Sequence, residues 1–412
     1  MPDSQDLAQD ITRRAVIARG GQLAAAAGVL SAAASANAAG SGLITPFTIA
    51  IPQADLDDLK RRLAAMRWPE REPVDDWSQG VPLARIQALV AYWRDKYDWR
   101  RCEAKLNFFP QFRTEIDGLG IHFIHARSKH ANALPMIMTH GWPGSVIEFA
   151  EVIRPLTDPE AFGGKAEDAF HVVAPSLPGY GFSDKPTHTG WGMERTATAW
   201  HTLMTRLGYT RYVAQGGDWG ARLCLFMGAQ RPQGLAALHL NRPLYWAPPG
   251  EPAAPPSPPR PRWMSELGYR IQQSTRPQTL GYGLADSPAG QAAWIYEKYA
   301  AWSAGKWNPE SAFSMDAMLD NISLYWFTNS GASSARLYWE SIDALPPGDT
   351  FDIPIAYSIF PAERGGPKKW AERIFPNLFY WNEVERGGHF AAFEQPEIFV
   401  REMRSAFRTM RA

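Results

Sequence analysis

An α/β fold on a mainly parallel sheet is the fold class this chain predicts, and three observations carry it. Short β-prone runs recur at 134–139, 171–174, 212–215, 236–240 and 353–360, most of them separated by helical stretches. Strand, glycine-bracketed turn and helix follow in order across 211–229. The alternation then stops once, where a proline-rich stretch at 243–261 leads into a helical pattern from Trp263 to about Tyr338, read as a helical cap inserted late in the core. At 412 residues and 45% hydrophobic, the chain is long enough for one large α/β domain with additions or for two domains.

Taken in order, residues 1–38 are read as an export signal. Thr12-Arg13-Arg14-Ala15-Val16-Ile17 precedes an alanine-rich apolar run, and Ala36-Asn37-Ala38 fits a small-residue cleavage site. An arginine pair before a weakly hydrophobic stretch resembles a twin-arginine signal, which carries folded proteins across the bacterial inner membrane, so a periplasmic or secreted mature chain starting near Ala39 is expected. An uncleaved amphipathic helix or membrane anchor is the alternative. Beyond this segment no apolar stretch reaches transmembrane length, so no stable membrane span is expected in the mature chain.

Residues 39–110 read as a helical and irregular N-terminal extension. Leu56, Leu59, Leu63 and Met66 recur at helical spacing, as do Leu83, Ile86, Leu89, Val90 and Trp93. Residues 111–242 form the first part of the core and open with a hairpin at 112–128, turned at Asp117-Gly118. The connector and cap take 243–345, and 346–412 complete the core. With Cys102 and Cys224 the only cysteines, no disulfide framework is expected. The 42 basic and 42 acidic residues balance, which gives no indication of nucleic acid or an anionic membrane as partner.

The chemistry centres on Gly216-Gly217-Asp218-Trp219-Gly220, a nucleophile-elbow pattern with aspartate in place of serine. A serine alkoxide attacks a carbonyl. A carboxylate is better suited to displacing a leaving group at saturated carbon, forming an alkyl ester that water must cleave, so epoxides or alkyl halides are implied. The plain alternative is an ordinary loop with a solvated aspartate. Gly216 and Gly220 are expected to permit close packing and unusual dihedrals.

His140-Gly141-Trp142-Pro143-Gly144 directly follows a buried strand, where an α/β-hydrolase supplies a backbone N–H to its oxyanion hole; the Trp142 and Trp219 amides are the expected donors. His389, in Gly387-Gly388-His389-Phe390, follows the last predicted strand and the nucleophile in chain order, as a general base would. His122, His125 and His239 lie within strands and suit satisfied core or surface roles. The orienting acid belongs between Asp218 and His389. Glu363 follows the strand at 353–360 at its C-terminal end, whereas Asp352 precedes it and Asn241, after the previous strand, is not an acid.

HGWPGS at 140–145, GGDWG at 216–220 and RGGHFAAFEQPE at 386–397 together resemble the microsomal-type epoxide hydrolases, from about Phe47 to the C-terminus and including their N-terminal extension. The resemblance implies an α/β-hydrolase fold and two cap tyrosines that activate the epoxide oxygen. By context these fall on Tyr269 in SELGYRIQQSTRP and Tyr338 in SSARLYWE, and the acid on Glu363 in IFPAE. Two departures stand out: an export signal where eukaryotic members have a membrane anchor, and a long proline-rich stretch. The implied reaction is attack by Asp218 on an epoxide carbon, protonation of the ring oxygen by Tyr269 and Tyr338, and hydrolysis of the ester by His389 oriented by Glu363. It requires no metal or organic cofactor, and its partners are a small apolar epoxide and water. A haloalkane dehalogenase shares the fold and an aspartate nucleophile, but an alkoxide needs the proton that phenols supply. A noncatalytic binding protein on the same scaffold would show a damaged triad. A homodimer is left open.

Overall fold

Pairing along β-prone runs joins nine strands into one sheet in a computed structural model that describes residues 42–245, 262–344, 346, 350–363 and 365–411. The segment expected to be an export signal and most of the connector at 243–261 lie outside the described residues. In chain order the strands are β1 (Ile44–Phe47), β2 (Gln111–Ile116), β3 (Leu119–Ala126), β4 (Leu134–Thr139), β5 (Phe170–Pro175), β6 (Tyr212–Gly216), β7 (Leu235–Leu240), β8 (Ile355–Ile359) and β9 (Leu378–Glu383). In space they run β1-β2-β3-β5-β4-β6-β7-β8-β9. The first three pairings are antiparallel; from β5 to β9 all are parallel.

The central strands carry the strongest pattern because they are covered on both faces. Every residue of β5, β6 and β8 is buried, which requires continuous rather than alternating apolar runs. The β2–β3 hairpin turns through Asp117 and Gly118, both at positive φ, as a two-residue hairpin turn demands. The edges escape prediction. β1, within the stretch expected to be helical and irregular, is four residues long and contains Pro46, which an edge strand tolerates. β9 is half-buried along nearly its whole length and shows neither alternation nor a buried run, so it too went unread.

The helices Gln53–Ala64 and Leu83–Asp95 form at the expected spacing and bury Leu59 and Leu63, and Ile86, Leu89, Val90 and Trp93, respectively. Among the described residues, five α-helices lie between β7 and β8: Arg262–Thr275, Pro277–Asp286, Pro288–Trp302, Met315–Phe327 and Gly331–Ser341. Among the described residues no helix is long and apolar enough to cross a membrane. Cys102 and Cys224 are buried and free.

Helix Met315–Phe327 joins the N-terminal extension to the loop after β4. On one side Trp93 Nε1 donates to Ser323 Oγ (2.9 Å), Tyr97 donates its hydroxyl to Asp320 (2.9 Å), and Arg101 pairs with Asp316 and Asp320. On the other, Asn321 Nδ2 donates to the Pro143 carbonyl (2.7 Å) and accepts from Ser145 Oγ at its own Oδ1 (2.7 Å), while the Tyr325 hydroxyl donates to the Gly144 carbonyl (2.9 Å). All but the part-exposed Arg101 pairs are buried, so losing one partner of the others strands its mate without water. Asn321→Ala is therefore expected to destabilise the fold by about 2–3 kcal/mol and to slow turnover through a displaced Trp142. Urea unfolding and steady-state kinetics check this; a stability within about 0.5 kcal/mol of the parent, the range of an inert surface change, would contradict it.

Candidate active site

Five loops at the C-terminal ends of β4, β6, β7, β8 and β9 bring Trp142, Asp218, Arg242, Glu363 and His389 together. Asp218 opens the helix Asp218–Gln230 directly after β6 and holds φ at +49°, the left-handed region that a non-glycine residue enters only when its surroundings over-determine it. The neighbouring glycines supply space rather than positive φ. A Cβ on Gly216 would collide with the Gly220 backbone, one on Gly220 with the Thr139 carbonyl, and one on Gly141 with the Asp218 side chain. The strain expected at the glycines thus falls on the aspartate, and the glycines let β4 and the helix close around it.

The Asp218 carboxylate has two unlike oxygens. Oδ1 accepts from the Trp142 N–H at 2.9 Å. Oδ2 accepts from Arg242 Nη1 and lies 3.4 Å from His389 Nε2. Among the described residues Trp142 is the sole backbone donor to this carboxylate, so of the two expected amides Trp219, next in the first turn of the helix, makes no such bond.

His389 Nδ1 donates to Glu363 Oε1 at 2.5 Å, and Glu363 Oε2 lies 3.8 Å from Arg242 Nε. The histidine backbone is equally fixed: its N–H donates to the Trp302 carbonyl (3.0 Å), and Glu394 accepts from the Phe390 and Ala304 amides. Gly388 packs so closely on Trp302 and Ala304 that a Cβ has no room.

Burial alone would raise the Asp218 pKa, but His389, Arg242 and the Trp142 amide outweigh it and hold the carboxyl well below the usual range. His389 shows the reverse balance. Burial lowers it, yet Glu363 and Asp218 push the imidazole up to about 10, so it is a cation beside an ionised Asp218. Glu363 is held ionised against burial by His389 first and Arg242 next.

Tyr269 and Tyr338 face Asp218 across a cavity of about 180 Å³. Their rings stand 5.9 Å apart at 82°, with Tyr269 stacked on Trp142 at 5.2 Å and Tyr338 edge-on to Trp219 at 4.8 Å. Burial and the Asp218 charge raise Tyr269 to about 12, and burial followed by Tyr269 and Asp218 raises Tyr338 further, which keeps both phenols protonated. A second cavity of about 20 Å³, room for one water, lies against Asp218 and His389 and is lined also by Glu148, whose carboxyl burial pushes up to about 8.

The structure therefore brings every expected side chain to one place, Asp218, His389, Glu363, Tyr269 and Tyr338, with the Trp142 amide. His122 and His239 are buried and hydrogen-bonded elsewhere, and Asp352 pairs with Arg231 at the opposite strand end. Arg242 and Glu148 went unread. Arg242 stands one position beyond Asn241, where only an acid was sought, and Glu148 lies four residues beyond the HGWPG loop.

A buried carboxylate at a strand-to-helix turn, a histidine–carboxylate pair and an amide donor from the adjacent strand, all at the C-terminal edge of a parallel sheet, are the arrangement of an α/β-hydrolase. Comparison with known proteins agrees: residues 135–278 match the alpha/beta hydrolase fold model, and residues 44–149 match the model of the epoxide hydrolase N terminus. A Stigmatella aurantiaca protein provisionally named an epoxide hydrolase is 61% identical over 90% of this chain and 86% of its own. Epoxide hydrolase 1 of Sus scrofa is 34% identical over 88% of each chain. The crystal structure of juvenile hormone epoxide hydrolase from the silkworm Bombyx mori superposes with a TM-score of 0.80 at 32% identity, covering 92% of this chain and 97% of that one. The chain belongs to the epoxide hydrolase family, of the microsomal type, and its activity is the hydrolysis of epoxides.

The raised pKa of His389 depends partly on the Asp218 charge, which an alkyl ester on Asp218 would remove. The sign follows: the imidazole is a cation in the free enzyme and loses its proton more readily once Asp218 is an ester. Ester hydrolysis, followed by stopped flow, is expected to rise with pH and level off around a pKa well below that of His389 in the free enzyme measured by NMR. Equal or inverted values would contradict this coupling.

Proposed function

We propose that epoxide hydrolysis in this enzyme runs through an alkyl ester on Asp218. The observation that carries this reading is the inequality of the two carboxylate oxygens. Oδ1 is pinned to the Trp142 amide, while Oδ2 belongs to an aspartate that lines the tyrosine cavity.

Oδ2 attacks one oxirane carbon from behind as that carbon's bond to the ring oxygen breaks, and the ring oxygen takes a proton from Tyr269 or Tyr338. The phenols supply what an alkoxide leaving group needs. Oδ1, now the ester carbonyl oxygen, already sits on the Trp142 N–H, where negative charge develops when water adds.

Once Asp218 is an ester, His389 gives up its proton, which restores the phenol; water from the small cavity then adds to the Asp218 carbonyl carbon as the neutral His389, oriented by Glu363, takes a proton from it. Glu148 lines that cavity and in its neutral form can hold the water. Collapse expels Oδ2 with the diol, and His389 returns its proton to that oxygen. The proton left on the new aspartic acid passes to His389, restoring the cation beside an ionised Asp218, so atoms and charges balance over one turnover.

Because each phenol can serve the ring oxygen, Tyr269→Phe and Tyr338→Phe are each expected to slow ester formation about 10–100-fold, and the double variant to lose nearly all of it. Single-turnover quench with an excess of enzyme reads this step directly. Full activity in the double variant would remove both phenols from the mechanism.

A further inference from the structure

The cavity that holds Tyr269 and Tyr338 is cationic, although the expected substrate is apolar. Among the described residues its wall carries three guanidinium groups, Arg222, Arg242 and Arg270, against one carboxylate, Asp218. Leu244, Leu267 and Ile342 are its only aliphatic side chains among the described residues. An uncharged oxirane with a hydrocarbon substituent gives a cavity this rich in cations no partner for its unengaged positive charge.

The structural roles of these arginines differ. Arg242 is engaged by Asp218 and faces Glu363. Arg222 donates to the Ser341 and Ile342 carbonyls (3.0 and 3.1 Å) and lies over the Trp219 ring, with the exposed Asp343 contributing at longer range. Arg270, next to Tyr269, is exposed and makes neither a hydrogen bond nor an ion pair among the described residues. Burial first, then the charges of Arg242 and Arg270, hold the Arg222 guanidinium below its ordinary range, a sign that like charges are crowded here. Such crowding is unfavourable in the empty enzyme and is relieved by an anion.

Building on the ester mechanism above, we propose that the enzyme acts on epoxides bearing an anionic group, a carboxylate or a phosphonate, within a few bonds of the oxirane ring. Arg242 sets the short distance, because it touches Oδ2, the attacking atom. Arg270 receives the anion beside the phenol that meets the ring oxygen. The same pair of cations solves an electrostatic difficulty: an anionic nucleophile approaches an anionic substrate only where their repulsion is neutralised. Alkylation of Oδ2 then removes the Asp218 charge and leaves Arg242 free to hold the substrate anion through hydrolysis. A cavity of about 180 Å³ suits a short-chain epoxy acid.

The test compares 3-phenylglycidate with its uncharged amide, with styrene oxide, and with the phosphonate that replaces the carboxylate, in the full-length enzyme and in Arg270→Gln. In the parent enzyme kcat/KM for the glycidate is expected to exceed that for the amide by about tenfold or more, and the ratio to shrink severalfold as salt screens the charges. In Arg270→Gln the ratio collapses mainly through a higher KM for the anion, with styrene oxide turnover reporting an intact fold. Whichever of carboxylate and phosphonate has the larger kcat/KM identifies the anion. Equal or faster turnover of the amide by the parent would overturn the anionic assignment and leave epoxide hydrolysis standing. A preference for the glycidate that survives Arg270→Gln undiminished would also overturn it, and failure to open any oxirane would overturn the underlying mechanism as well.

Discussion

One carboxylate, held so that its two oxygens face different chemistry, is the constraint on which the rest of the site depends. Asp218 reaches that position through a left-handed backbone at the start of a helix, a conformation costing roughly 1–2 kcal/mol for a residue with a Cβ. The surrounding backbone leaves it no alternative. Gly141, Gly216 and Gly220 let β4, β6 and the helix Asp218–Gln230 approach more closely than any side chain would permit. The Trp142 amide then fixes Oδ1, and Oδ2 is left to Arg242, His389 and the cavity.

That geometry is supported from outside the core. The Trp142 amide is only as well placed as its loop, and the loop hangs from Asn321 and Tyr325 of a cap helix whose other side is bound by Trp93, Tyr97 and Arg101 of the N-terminal extension. Extension, cap helix and the loop after β4 are thus joined by one chain of buried hydrogen bonds, with the part-exposed Arg101 ion pairs at its outer end. The charges around Asp218 serve a different end. Arg242 and His389 keep the Asp218 carboxylate ionised in a place where burial alone would protonate it, and Glu363 keeps the histidine oriented and basic.

Much of this was legible in the sequence where a single physical requirement dominates. Strands buried on both faces must be continuously apolar, so β4 to β8 stood out, and the Asp117-Gly118 turn announced its hairpin. Edge strands answer to fewer neighbours: β1 and β9 carry no such pattern. The triad was readable because its members follow strand ends in a fixed order, and the glycines because crowding excludes every other residue. Arg242 and Glu148 were not, since their significance lies in what surrounds them. An arginine after a strand becomes part of the site only when the fold sets it between Asp218 and Glu363. A glutamate four residues beyond a loop matters only when a water-sized cavity opens beside it.

The central claim is that Asp218 bonds to the substrate instead of merely activating water, and the fate of oxygen tests it most directly. With enzyme in excess over a single charge of epoxide in heavy-oxygen water, the account predicts a first-turnover diol that is largely unlabelled, because its new oxygen is Oδ2, and heavy oxygen in the peptide containing Asp218. Stoichiometric label in the first-turnover diol, with none in Asp218, would contradict it and leave direct general-base hydrolysis as the mechanism.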